Sequence, residues 1–481
     1  MKHCSPNILS VLFAISILLF CSGAASQTPS SADSEISAKT VFTLEDCLKR
    51  SVAKSSEIEV AKMEAEIQEY ERKSMRGNYF PKVSLDARIV KFNDPVYLDV
   101  DLSFLSVLLQ DFLPMLSPET LAQLGAMQEE GLQLKVRDDL IYEAGVTVVQ
   151  PLTQLYRISA GDRARKALAV AARREGISVQ RKIELQVVKA YAGLVAAVSM
   201  EKTIASALVQ LDAMEKQVQG YLDAELVERN ALLKVRVARA QYQKNLFSAQ
   251  KGADMARAAL NMLMDRPLTA SLEPSSDMTV RLQKKDIDAS LSVQQKEAVD
   301  SRPELESARA KVEAAKYAQK ATAGKMIPEL SLVFRYHNTQ GTGQMQPENE
   351  LFGGLILTWD IWDWGVDYYE TQAAKSRYRK AQTQVSNAED MIRLDVQSKW
   401  LELQEARKSV EVSEKQAELA DENLRIEQMR YDANEATTSD LLEAQTLQLK
   451  AANDLIIARI NVDAALYSLA VARGLDLVQT N

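Results

Sequence analysis

The strongest constraint on this chain is that it repeats itself. EIEVAKMEAEIQEYERKSMRGNYFPKVSL, from Glu57 to Leu85, aligns without a gap on ELESARAKVEAAKYAQKATAGKMIPELSL, from Glu304 to Leu332, at an offset of 304 − 57 = 247. Glu57/Glu304, Glu59/Glu306, Ala61/Ala308, Glu66/Glu313, Lys73/Lys320, Gly77/Gly324, Pro81/Pro328, Ser84/Ser331 and Leu85/Leu332 coincide. GVTVVQPLTQLY from Gly145 then corresponds to GLILTWDIWDWG from Gly354, and YLDAELVERNALLKVRVARA from Tyr221 to YDANEATTSDLLEAQTLQLK from Tyr431. RAALNMLM from Arg257 and DAALYSLA from Asp463 close the two copies. A chain built this way is a tandem duplication, each copy reading helix, strand, strand, long helix, turn, helix.

The helical stretches are too long for an ordinary domain. Proline-free segments from Ile158 to Tyr221 and from Val366 to Tyr431 predict helices of roughly 65 residues, near 100 Å each at about 1.5 Å per residue. The helices leading into the strands, Thr43 to Arg76 and Val293 to Gly324, are about 30 to 35 residues, and those leaving the turns near 40, so two short helices end to end match one long one. The expected shape is a rod with strands at one end and helical turns at the other. Asp265 to Ile287 and the tail after Arg473 would form a belt where the short helices meet. Only 17 Gly and 12 Pro among 481 residues agree with a mainly helical chain.

The strands alternate. Val83, Leu85, Ala87 and Ile89 point opposite to Ser84, Asp86 and Arg88; Leu330, Leu332, Phe334 and Tyr336 opposite to Ser331, Arg335 and His337. Leu355, Leu357, Trp359 and Ile361 alternate with Thr358 and Asp360. A lipid-facing barrel strand and a half-buried soluble strand both give this pattern. Four strands make a poor core and cannot close a barrel, for which about eight is the usual minimum, so several chains must contribute. Trp359, Trp362 and Trp364 cluster at a strand end, where interfacial aromatics sit. Pro81 and Pro328 mark the helix-to-strand changes, and Pro151 the end of pairing in the second strand.

The amino terminus states a compartment. Lys2 and His3 precede an uncharged run from Ile8 to Phe20 and small residues from Ser22 to Ser26, the pattern of a secretory signal peptide cleaved between about Ala24 and Ser26. Cys21 offers the alternative of a lipidated terminus, although Phe20 stands where a lipoprotein signal has a small residue. Loss of Lys2 takes the formal charge from −8 to 57 − 66 = −9, which argues against nucleic acid as a partner. The histidines are His3 and His337 and the cysteines Cys4, Cys21 and Cys47, so His/Cys metal clusters and triad catalysis lack components. No segment reads as a transmembrane helix; entry into a membrane would require a closed barrel.

FTLEDCLKRSVAKSSEIEVA, GVTVVQPL and MRYDANEATTSDLLEAQ, together with the duplication, resemble the TolC-type outer-membrane efflux channels, the outer membrane factor family, from about Phe42 to Leu477. The resemblance implies a mainly α fold with a small β part: a trimeric 12-stranded outer-membrane β-barrel, four strands per chain, on a long periplasmic α-helical tunnel. It implies a homotrimer in outer-membrane lipid, docking a periplasmic adaptor (membrane fusion) protein and an inner-membrane transporter, with no cofactor and no reaction. The function implied is the exit duct of a tripartite efflux or type I secretion system in a Gram-negative bacterium. The alternative is an exported periplasmic coiled-coil scaffold that never inserts.

On this reading residues 1–25 are the signal peptide, 26–41 a linker, 42–290 the first repeat and 291–481 the second. The strands are expected at about 82–92, 142–153, 328–337 and 351–362, the tunnel helices at about 158–264 and 366–473, and an inserted loop at 90–139. The resemblance places a periplasmic gate at Asp440 and Glu443, one helical turn apart and on one face. It extends the gate network to Tyr431 and to Tyr221 and Asn230, their counterparts in the first repeat. The glycine usual in both turns is replaced by Ala224 and Asn434, and the arginine that partners the tip acids by Ala436, with Arg229 as a substitute.

Overall fold

The computed structural model describes residues 41–100, 117–120, 122, 132–275, 289–343, 347–433 and 435–475. The signal peptide, Cys21, the linker up to residue 40, most of the insertion 90–139 and Asn434 lie outside the described residues.

The chain opens with β1 (Val41–Phe42), α1 (Leu44–Lys54) and α2 (Ser56–Gly77), which feeds β2 (Lys82–Lys91). The insertion contributes a hairpin, β3 (Val96–Val100) with β4 (Leu132–Arg137). Then follow β5 (Leu140–Pro151), α3 (Leu155–Asp223), α4 (Arg229–Leu263) and β6 (Glu273–Pro274). The second copy comprises α5 (Leu291–Ser301), α6 (Pro303–Ala323), β7 (Glu329–Gln340), β8 (Asn349–Thr358), α7 (Val366–Asp432) and α8 (Thr438–Ala472). At 69 and 67 residues, α3 and α7 are each about 100 Å long.

Two helices expected to be continuous are broken. Between α1 and α2, Ser55 is extended (φ −66, ψ 122), and between α5 and α6 so is Arg302 (φ −74, ψ 126). The two breaks are related by the repeat offset, 302 − 55 = 247. In the second copy the cause is Pro303, whose ring disfavours a helical residue before it while fitting the first helical position. The last strand ends at Thr358 rather than 362, because its partner runs out: Thr358 pairs Glu329, and Pro328 has no N–H with which to extend the ladder.

In the upper half of the rod the helices lie in the order α2, α3, α6, α7, and the sheet above them in the order β2, β5, β7, β8, all antiparallel. Ion pairs stitch the helical layer: Arg165–Glu71 between α2 and α3, Lys311–Glu175 between α3 and α6, and Arg309–Glu389 between α6 and α7. In the lower half α4 packs on α3 and α8 on α7, and α8 also touches α3. Where the halves meet, β1 pairs in parallel with β6, and Phe42, Leu44 and Leu48 fill a core with Val187, Val188, Tyr191 and Leu194 of α3, Leu260 of α4 and Tyr467 of α8. Tyr191 is fully buried, its hydroxyl 3.0 Å from the carbonyl oxygens of both Phe42 and Ser275. Stretches of α3 and α8 have mean hydropathies of 1.4 and 1.6 and are apolar enough to cross a membrane by composition; both helices send apolar side chains into this belt core.

Candidate functional site

Two ends of the molecule carry the candidate sites. At the sheet end, register sorts the side chains by face. Val83, Val148, Phe334 and Gly353 share one transverse row and Leu85, Val146, Tyr336 and Leu351 the next, on one face of the sheet. The opposite face carries Ser84, Thr147 and Arg335 in one row and Asp86, Gly145, His337 and Glu350 in another, with Val90, Ile141, Val149, Val333, Phe352 and Ile356 as its apolar members. Arg88 pairs with Glu143 there, and Arg335 Nε donates to Thr147 Oγ1 at 3.2 Å. The apolar face has no cover within the chain: Leu85 is 69% and Leu357 64% exposed. Such exposure across a whole face needs lipid or another protein against it.

Below this face, between β8 and α7, lie Trp359, Trp362 and Trp364, all exposed. Trp362 and Trp364 meet edge to face with ring centroids 5.7 Å apart. None of the three is in a strand.

At the opposite end the two helical hairpins meet around a small core of Leu211, Met214, Val218, Leu232, Val235, Tyr431 and Leu441. Tyr431 is buried and Tyr221 half-buried beside it, with ring centroids 6.4 Å apart. Tyr221 accepts a hydrogen bond from Gln217 Nε2 at 3.0 Å. Ala436, in place of an arginine, packs against this core.

Asp440 is exposed on the first turn of α8 and Glu443 on the second. Asp440 is also a capping residue. Its Oδ2 accepts the Thr437 N–H and hydroxyl, both at 2.8 Å, while the Asp440 N–H donates to Thr437 Oγ1 at 3.4 Å. This reciprocal capping box starts the helix. The Thr437 N–H and hydroxyl hold the Asp440 carboxyl below the usual carboxylate range, with smaller help from the charges of Arg430 and Lys234. Those two cations, missed in the sequence reading, are the ones that act on Asp440; Arg229 is exposed at the start of α4. Arg430 lies just upstream of the turn, where it bonds Glu427 at 2.8 Å.

Cap geometry changes the pairing of the two turns. The N-caps are Glu228 and Thr437, an offset of 437 − 228 = 209, so Ala231 rather than Asn230 stands where Asp440 does. The capping box therefore belongs to the second copy alone, since Glu228 makes no side-chain cap. The left-handed residue of the first turn is Glu225 (φ 55), one past Ala224. It is secured by Leu226 N–H to the Tyr221 carbonyl at 2.8 Å, the six-to-one bond of a Schellman end.

Asn230 lies on the wall of a groove of about 1180 Å³ between α4 and α8, lined by Leu233, Val237, Tyr242, Leu442 and Ile457. Only a few polar contacts bridge it, among them Lys234 Nζ to Ser439 Oγ at 2.6 Å and Tyr242 hydroxyl to Thr446 Oγ1 at 3.3 Å. Each hairpin is by contrast tied to itself, by Arg236–Glu215 and Arg239–Asp212 in the first and Arg459–Glu414 in the second.

Residues 295–475, within the second copy, match the model of the outer membrane efflux protein family. No curated protein matches the chain. By structure it is similar to the outer-membrane channel OprN, with a TM-score of 0.72 at 17% identity over 90% of each chain. The Campylobacter jejuni CmeC outer membrane channel gives 0.71 at 15%, over 96% of this chain and 91% of that one. The open state of the Neisseria gonorrhoeae MtrE outer membrane channel gives 0.70 at 16%, over 90% and 89%. The fold is that of these channels, strands on a helical tunnel, and the resemblance to TolC-type channels stands. The matched family and these neighbours are channels, not enzymes.

Proposed function

We propose that this chain, whose second copy matches the outer membrane efflux protein family and whose fold is that of outer-membrane channels, forms a homotrimeric exit duct in the outer membrane of a Gram-negative bacterium and extends into the periplasm. The observation that carries this reading is a pair of matched open edges. In the sheet the edge strands are β2 and β8, whose outer N–H and C=O groups need partners in a membrane. In the upper helical layer the edges are α2 and α7. Val60, Met63, Ile67 and Tyr70 form an exposed stripe on α2, and Met391 and Leu394 are exposed on the upper part of α7. Spacings of three and four residues are those of helix-packing seams. Joining the α2 and β2 edge of one protomer to the α7 and β8 edge of its partner covers both at once, and three copies close twelve strands. The uncovered apolar face then meets lipid and the charged face lines the lumen.

The duct catalyses nothing and holds no cofactor; an inner-membrane transporter supplies energy through a periplasmic adaptor. The α4–α8 groove is the docking surface for adaptor helices, since it is apolar, elongated and near the tip. Asp440 and Glu443, repeated in each protomer, form the periplasmic gate and attract cations to it. Tyr431, Tyr221, Asn230 and Arg229 make up the surrounding network, and Trp359, Trp362 and Trp364 sit at the membrane interface.

Single-channel conductance of purified trimers in planar bilayers tests this. The acids are best changed to Asp440→Asn with Glu443→Gln, because alanine at 440 would also delete the helix cap. Wild type should show a small cation-selective conductance and the double variant a larger, less selective one. Equal conductance and selectivity in inserted trimers would remove the acidic gate and leave the channel; a soluble protein without heat-resistant trimers would favour the scaffold.

A further inference from the structure

Apolar and aromatic side chains continue past the paired rows of the sheet towards the helices. On β7 the apolar face runs from Leu330 to Tyr336, and the next row on that face holds Asn338 and Asn349, which hydrogen-bond each other at 2.8 Å. Beyond that row Ile89 and Tyr142 continue the apolar face on β2 and β5, and at the helical end its last paired row is Leu330 with Leu357.

What lies there is Ile361, Trp362 and Trp364, which are 76%, 75% and 85% exposed, with Trp359, Tyr368 and Tyr369 beside them. Their backbone is unusual. Trp364 has φ 58 and Gly365 φ 80, two left-handed residues in succession, costly for a bulky side chain. Gly365 is formally the N-cap of α7 but has no side chain to cap with. Asp363 supplies the cap from two residues upstream: Oδ1 accepts the Gly365 N–H at 2.9 Å and Oδ2 the Asp367 N–H at 2.7 Å. The same positions of the first copy, counted from Gly145, carry Thr153, Gln154 and Leu155. There Thr153 ties the chain to the neighbouring strand instead, donating to the Pro328 carbonyl at 2.7 Å and accepting the Leu330 N–H at 2.8 Å. The aromatic turn is thus a device of the second copy.

We infer that Asp363 is a positioning residue, which clamps the left-handed turn at Trp364 and Gly365 so that Trp362 and Trp364 extend the apolar band into the phospholipid headgroup boundary of the periplasmic leaflet. This deepens the membrane-interface role given to the tryptophans and rests on it. The occupant is phospholipid because the turn adjoins the helical, periplasmic end of the band. A carboxylate at this depth is tolerated because both its oxygens are engaged by backbone N–H groups.

Tryptophan quenching tests it. Trimers carrying Trp400→Phe, which removes the tryptophan of the tunnel, are reconstituted in phosphatidylcholine vesicles brominated either near the headgroup or near the chain end. Quenching should be stronger from the shallow bromine, and Asp363→Ala should reduce it roughly twofold as the released turn swings its indoles away. Asp360→Ala, which removes a nearby exposed carboxylate, should leave quenching unchanged. Wild-type quenching in inserted Asp363→Ala trimers overturns the proposal. Should that variant fail to insert, Asp363→Asn decides, since it keeps one acceptor; a partial reduction supports the clamp and none overturns it. Absence of quenching in conducting wild-type trimers would instead sink the interface assignment itself.

Discussion

Asp440 caps a helix, and the proposed gate asks the same carboxylate to meet cations. Its carboxyl is lowered by the N–H and hydroxyl of Thr437, so the folded pKa lies below the unfolded value of about 3.9. The stabilisation is full above that value and is lost as pH falls through the lowered folded pKa. Protection of the first-turn amides of α8, corrected for intrinsic exchange, should therefore fall below about pH 3.9 in wild type and stay constant in Asp440→Asn, whose amide still caps. Thr437→Ala should cost about 1 kcal/mol of local stability, near a fivefold rise in exchange, at every pH. The acids at 440 and 443 were legible in the sequence because a three-residue spacing puts them on one face. Arg430 and Lys234 were not, since their nearness to Asp440 depends on how the turn folds and how α4 lies against α8.

Among elements, the belt is the joint that holds the two halves of the rod. Tyr191 sits at its centre, sharing its hydroxyl between the carbonyl oxygens of Phe42 and Ser275. Tyr191→Phe should cost about 1 kcal/mol by removing this buried hydrogen-bond donor. The loss should register as a lower midpoint of thermal unfolding. Helix lengths and the strand alternation were readable from spacing alone, as was the part of the belt from Asp265 to Ser275; residues 276–287 and 476–481 of the expected belt lie outside the described residues. The breaks at Ser55 and Arg302 were not read, although Pro303 is a local signal for one of them. The overrun of the last strand to 362 came from following apolar alternation through Trp359 and Ile361, which continues past the point where Pro328 ends the ladder.

For the whole molecule, the proposed duct depends on closure between copies. Ile67 is exposed on the side of α2 facing away from the chain's own helices. Ile67→Glu should place a charge in the seam against α7 of the next protomer, abolishing heat-resistant trimers while leaving the helical content of the chain unchanged. Native mass measurement and circular dichroism check both halves of that expectation. An unchanged trimer would mean that this edge of α2 does not form the seam.

The sequence by itself determined the duplication, the long proline-free helices, the alternating strands and the placement of acids at one turn, because each is a local periodicity that backbone geometry converts into structure. Only the tertiary structure decided which cations act on Asp440, that its carboxylate is spent on a cap, that Ala231 is its counterpart, and that Asp363 rather than Gly365 caps α7. These depend on side chains and backbone amides brought together by particular dihedral angles and neighbouring helices, and a one-dimensional pattern carries neither.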